Sequence, residues 1–138
     1  MKNIIFVLSI IFIITVGTCT AGDQSICLPG SEITYFSNGQ VKSCTLKESY
    51  SANGVKCNQN TLINQYETGK LRSCISSGFF NYGTITCNPS SEVSFYSTGK
   101  LNACELSKTI QIDGKTCEQL EQISLFEDGK LKSCSKPQ

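Results

Sequence analysis

The chain predicts an all-β fold: a repetitive β-hairpin meander forming an elongated twisted sheet, from a 30-residue repeat made of two ~15-residue hairpins. Three observations lead there. First, Phe36 to Cys44 (FSNGQVKSC) returns as Tyr66 to Cys74, Tyr96 to Cys104 and Phe126 to Cys134, each 30 residues after the last without insertion or deletion. Second, glycines at 39, 54, 69, 83, 99, 114 and 129 place a turn signal about every 15 residues. Third, the segments between them, such as Ile33 to Phe36 and Val93 to Tyr96, are short, β-branched and aromatic. Such residues fit a pleated surface, and no window keeps a helical period.

Taken in order, the chain begins with a leader. Met1 and Lys2 precede an apolar run from Ile4 to Val16, followed by small residues to Gly22 and then polar Asp23. This is the anatomy of a secretory signal peptide over 1–22, with cleavage expected after Ala21 or Gly22. The run is shorter than the roughly 20 residues a membrane span needs, and an uncleaved anchor is the competing reading. Cys19 offers another alternative, lipidation, although Thr18 stands where a lipobox usually has Gly, Ala or Ser. Cleavage with loss of Cys19 is the expectation. Membrane contact would follow only from a lipidated Cys19 or a retained leader.

Residues 23–138 then form a single β-repeat domain of three full 30-residue repeats and a partial fourth. Asn38-Gly39, Asn53-Gly54, Asp113-Gly114 and Asp128-Gly129 are strong hairpin signals, because they tolerate the positive φ that tight turns demand. The seven glycine turns suggest seven hairpins side by side, with each unit packing mainly on its neighbours. Aliphatic ladders at Ile33, Ile63, Val93 and Ile123, and at Val41, Leu71, Leu101 and Leu131, would supply the core.

Of nine cysteines, eight remain after Cys19, an even number suited to an oxidising compartment. Pairing Cys27–Cys44, Cys57–Cys74, Cys87–Cys104 and Cys117–Cys134 uses all eight; pairing across the shorter gaps strands Cys27 and Cys134. Geometry raises an objection. In a flat meander Cys57 and Cys74 would lie two strands apart, roughly 9.5 Å, whereas a disulfide wants Cα atoms within about 7 Å. The sheet must bend or bulge, or the cysteines must sit in connections.

The aromatic-x-x-Gly units at Phe36 to Gly39, Tyr66 to Gly69 and Tyr96 to Gly99, and the longer Phe95 to Leu101, resemble the MORN repeat and are similar to YwqK-type MORN-variant repeats of bacterial proteins. The resemblance covers 33–134 and implies meandering hairpins with a binding or scaffold role. The two added cysteines per unit and the leader imply an exported variant, placed in the periplasm, outside the cell or on the surface of a bacterium.

Chemistry is sparse. The chain has no histidine, the commonest general base near neutral pH. Cysteine spacings of 13 and 17 differ from the close pairs of zinc sites. Beyond Lys2, eleven basic residues balance eleven acidic ones, so the electrostatic footprint of a nucleic-acid binder is missing. No catalytic residue, cofactor or metal ligand is expected. Lys70, Lys100 and Lys130 follow turn glycines and suit edge protection. The candidate binding residues are Phe36, Tyr66, Tyr96 and Phe126: facing solvent they would be platforms for sugar rings or partner side chains, and facing inward they would be core. Core is the expected placement, because large apolar ladders seldom stay exposed. The expected function is an exported, non-catalytic structural or protein-interaction module with a protein or polysaccharide partner. An envelope carbohydrate-binding module and a secreted toxin or enzyme inhibitor are the alternatives.

Overall fold

The computed structural model describes residues 24–135; the expected leader, 1–22, and Cys19 lie outside them. A 3-10 turn at Gln24–Ile26 leads into β1 (Ile33–Tyr35), β2 (Val41–Thr45), β3 (Tyr50–Ala52), β4 (Val55–Cys57) and β5 (Leu62–Gln65). The series continues with β6 (Leu71–Ile75), β7 (Phe80–Tyr82), β8 (Ile85–Cys87), β9 (Glu92–Phe95) and β10 (Leu101–Glu105). It closes with β11 (Ile110–Ile112), β12 (Lys115–Cys117), β13 (Gln122–Leu125) and β14 (Leu131–Ser135). The fold is all-β and every pairing is antiparallel. Among the described residues no helix is long and apolar enough to cross a membrane.

The hairpins do not lie side by side in one row. Alternate ones form an open eight-stranded meander, β1-β2-β5-β6-β9-β10-β13-β14, while β3-β4, β7-β8 and β11-β12 stand apart as two-stranded ribbons. Turn type separates two of the three ribbons from the sheet hairpins, while in β7-β8 only Gly83 is left-handed, at 58°. Asn53-Gly54 and Asp113-Gly114 have positive φ at both residues (52° and 79°; 49° and 74°), the type I′ pattern of a two-residue hairpin. In the sheet hairpins only the glycine is left-handed. The Gly39 N–H donates to the Phe36 carbonyl at 3.0 Å, and the Phe36 N–H to the Gln40 carbonyl at 2.9 Å. The next strand then carries a bulge, since Tyr35 opposes Val41 and Thr34 opposes Ser43, leaving Lys42 as the extra residue.

Burial explains why the ribbons leave the sheet. Ile63, Val93 and Ile123 are fully buried on one sheet face, and Val55, Phe80, Ile85 and Ile110 of the ribbons join the same apolar cluster. Each such side chain gains roughly 1.5–3 kcal/mol when taken from water. A single layer would forfeit that gain on both sets, so the ribbons fold over the sheet. The Phe80 and Phe95 rings meet edge to face, with centroids 5.7 Å apart.

Disulfides fasten the two layers. Cys57–Cys74, Cys87–Cys104 and Cys117–Cys134 each join the outgoing strand of a ribbon to the second sheet strand that follows, and Cys27–Cys44 does the same from the segment after the 3-10 turn. All four have Cα atoms 5.7 Å apart. The spacing problem of a flat meander disappears because β4, β8 and β12 lie outside the sheet. Backbone bonds flank the link: the Ser77 N–H donates to the Lys56 carbonyl and the Asn58 N–H to the Ile75 carbonyl, both at 2.8 Å.

Candidate functional site

The ribbons cover one face of the sheet and leave the other open. Across that open face the register places Thr34, Ser43, Asn64, Ser73, Ser94, Ala103, Ser124 and Ser133 directly opposite one another, a stripe of small residues, polar except at Ala103, perpendicular to the strands. Neighbours in the stripe bond to each other. Thr34 and Ser43 hydroxyls are 2.6 Å apart, and the Asn64 amide donates to the Ser73 hydroxyl at 3.1 Å. On β10 the Asn102 amide donates to the Ser94 hydroxyl at 3.2 Å.

The aromatic ladder flanks this stripe instead of entering the core. Phe36, Tyr66 and Tyr96 are half-buried, Phe126 is exposed, and none belongs to the buried cluster. The inward series lies one residue earlier, where Phe95 and Leu125 are both 1 % exposed. Plain alternation along the incoming strand accounts for this: Val93 and Phe95, like Ile123 and Leu125, face inward, so the aromatic one step later falls on the other face. The tyrosines also stitch repeats together. Tyr66 donates its hydroxyl proton to the Phe95 carbonyl, and Tyr96 to the Leu125 carbonyl, both at 2.8 Å.

Each bulge residue lies beside the ladder. Lys42 sits over the Phe36 ring, Arg72 over Tyr66 and Lys132 over Phe126, each charged centre 5.9 Å from the ring centroid. That distance is the outer range of a cation–π contact, worth about 0.5–1 kcal/mol at exposed sites. The third repeat breaks the pattern. Position 102 is asparagine, its amide is turned to Ser94, and among the described residues no cation is placed over the Tyr96 ring.

At that break the open face holds a trough of about 430 Å³. Tyr66 and Tyr96 wall it, and Asn64, Ser73, Ser94 and Asn102 form its polar floor. Arg72 and Glu92 bring one charge of each sign to its lining. Residues of this size and type can hydrogen-bond hydroxyl and carboxyl groups while a ring lies on an aromatic face. Of the ladder, the structure brings Tyr66 and Tyr96 into one site; Phe36 and Phe126 lie outside it. Lys70, Lys100 and Lys130 are exposed at the turns, where their backbone carbonyls close the loops.

Arg72, Asn102, Asn64 and the serines were not singled out from sequence. One signal was available for the first two. Lys42, Arg72, Asn102 and Lys132 all stand three residues after a turn glycine, where a glycine-closed loop often leaves a bulge. Among the described residues no group of three or more His, Cys, Asp or Glu side chains could hold a metal ion. No family model, no curated protein and no solved structure matches this chain.

Proposed function

We propose that this chain is an exported, non-catalytic recognition module that binds a polysaccharide on the open face of its sheet, in the trough between Tyr66 and Tyr96. The trough carries the reading. Ligand sites of 300–1,000 Å³ usually have apolar linings with a few polar groups, and protein interfaces anchor on buried aromatic or arginine clusters. Here amides, hydroxyls and one charge of each sign make up most of the lining, and its aromatic residues are Tyr66, Tyr96 and the buried Phe95. That combination suits a chain of sugar hydroxyls. The four disulfides fit an extracellular, oxidising setting, and the signal-like leader agrees with export.

The test is retention of the oxidised chain on a panel of insoluble bacterial and plant polysaccharides, followed by titration with soluble oligosaccharides of any that retain it. Tyr96→Ala should weaken binding about tenfold, equivalent to 1.4 kcal/mol, while Phe36→Ala, outside the trough, should leave it unchanged. Retention by no polysaccharide, or equal binding by Tyr96→Ala, would overturn the assignment. Release of reducing ends in proportion to protein would overturn its non-catalytic part.

A further inference from the structure

We infer that the two ends of the sheet are complementary to each other, so that a second copy of this chain docks head to tail, its β1 pairing with β14 of the first. Between successive repeats the same junction occurs three times: Ser43 opposite Asn64, Ser73 opposite Ser94 and Ala103 opposite Ser124. The register is identical each time, and the contacting pairs are 30 residues on. One further step places Ser133 opposite Thr34 of the next copy, Cys134 opposite Ile33 and Ser135 opposite Glu32. No like charges face one another there.

Among the described residues, both strands of this junction are already formed. Among the described residues the outer edges of β1 and β14 have no strand partner, so each presents unpaired backbone donors and acceptors. The loop before β1 keeps the internal geometry. Gly30 has φ 81° where the internal counterparts Asn60 and Ser90 both have 59°. The Leu28 N–H donates to the Thr45 carbonyl as Asn58 does to Ile75 and Asn88 to Glu105. Ser31 closes its turn through the Leu28 carbonyl at 2.7 Å, as Thr61 does through Asn58 and Ser91 through Asn88.

Apolar exposure falls on the same ends. Tyr35 is 45 % exposed, whereas Phe95 and Leu125 at the equivalent position are at 1 %. Phe126 is 50 % exposed, while Tyr66 and Tyr96 are half-buried and reach the repeat that follows them. Leu131 is partly exposed where Val41, Leu71 and Leu101 are buried. A copy docked on β14 would bring its Tyr35 backbone beside Phe126 and bury both ends in one contact. The interface is heterologous, with different surfaces on the two partners, so it propagates into a linear array unless its rotation closes a ring.

Sedimentation velocity of the oxidised chain over a wide concentration range tests this independently of any sugar. The expected result is a weight-average mass that climbs past a dimer. Thr34→Lys with Ser133→Lys puts like charges opposite each other at the junction. That variant should stay monomeric while keeping four disulfides and the wild-type far-ultraviolet circular dichroism. Thr34→Asp with Ser133→Lys should associate again. A wild-type chain monomeric throughout, a dimer that grows no further, or association indifferent to the lysine pair would each overturn the inference.

Discussion

At the scale of single residues, the repeat is maintained by backbone angles more strictly than by side chains. The loop entering each first sheet strand has a left-handed residue at 30, 60, 90 and 120, filled by Gly, Asn, Ser and Leu. Glycine adopts this conformation freely and asparagine tolerates it, but a leucine there carries a cost of about 1–2 kcal/mol. Leu120 sits at φ 68° and is 56 % exposed, so its side chain recovers little of that cost by burial. Leu120→Gly should therefore stabilise the chain by about 1 kcal/mol, net of the extra entropy glycine loses on folding. Urea unfolding of both proteins with the disulfides intact would measure this. A loss of stability would mean that Leu120 packs against something in solution that compensates its backbone.

At the scale of elements, the ribbons depend on their staples. A three-residue, two-stranded hairpin is marginal on its own, and β7-β8 is held by Phe80 and Ile85 in the core and by Cys87–Cys104. Replacing both cysteines with alanine opens a loop of 17 residues and should cost about 3 kcal/mol in thermal or chemical unfolding. Removing Cys117–Cys134, at the open end, should cost no more in native contacts but should expose β11-β12 to proteolysis first. Equal protease resistance in the two double variants would argue that the ribbons are held by packing alone. This layer is also where sequence and structure part. The hairpins, their spacing and the aliphatic ladders were readable because β-branched runs and Asn-Gly turns act locally. The layering was not, since Asn38-Gly39 and Asn53-Gly54 look alike in sequence although one closes a bulged loop and the other a type I′ turn. The outward aromatic ladder follows from alternation alone, since Ile123 and Leu125 take the inward face and Phe126 comes one step later. The bulge acts instead on the outgoing strand, where the extra residue lets Leu101 and Cys104, three positions apart, share the buried face. The trough was out of reach because its floor is assembled from four strands by register.

At the scale of the whole molecule, the sheet is a linear stack in which each unit touches mainly its neighbours. Stability in such a stack is a sum of unit and junction terms, and the outermost units each lack one junction. β6 and β9 are paired on both edges, and Cys74 and Val93, at 2 % and 0 % exposed, lie beneath the ribbon layer. β1 and β14 are paired on one edge, and Leu131 and Tyr35 remain partly in water. Amide hydrogen exchange of the dilute oxidised chain should therefore show protection rising from both ends towards β6 and β9, the pattern of local opening in separate cooperative units. Uniform protection across the sheet would show that the disulfides merge the repeats into one unit and that the stack does not fray. Head-to-tail docking adds a second expectation to the same measurement. As concentration rises, β1 and β14 should gain protection together while β6 and β9 change little, because only the end strands acquire a new partner. A rise at β14 without one at β1 would point to a different contact, since a heterologous junction engages both edges in equal numbers.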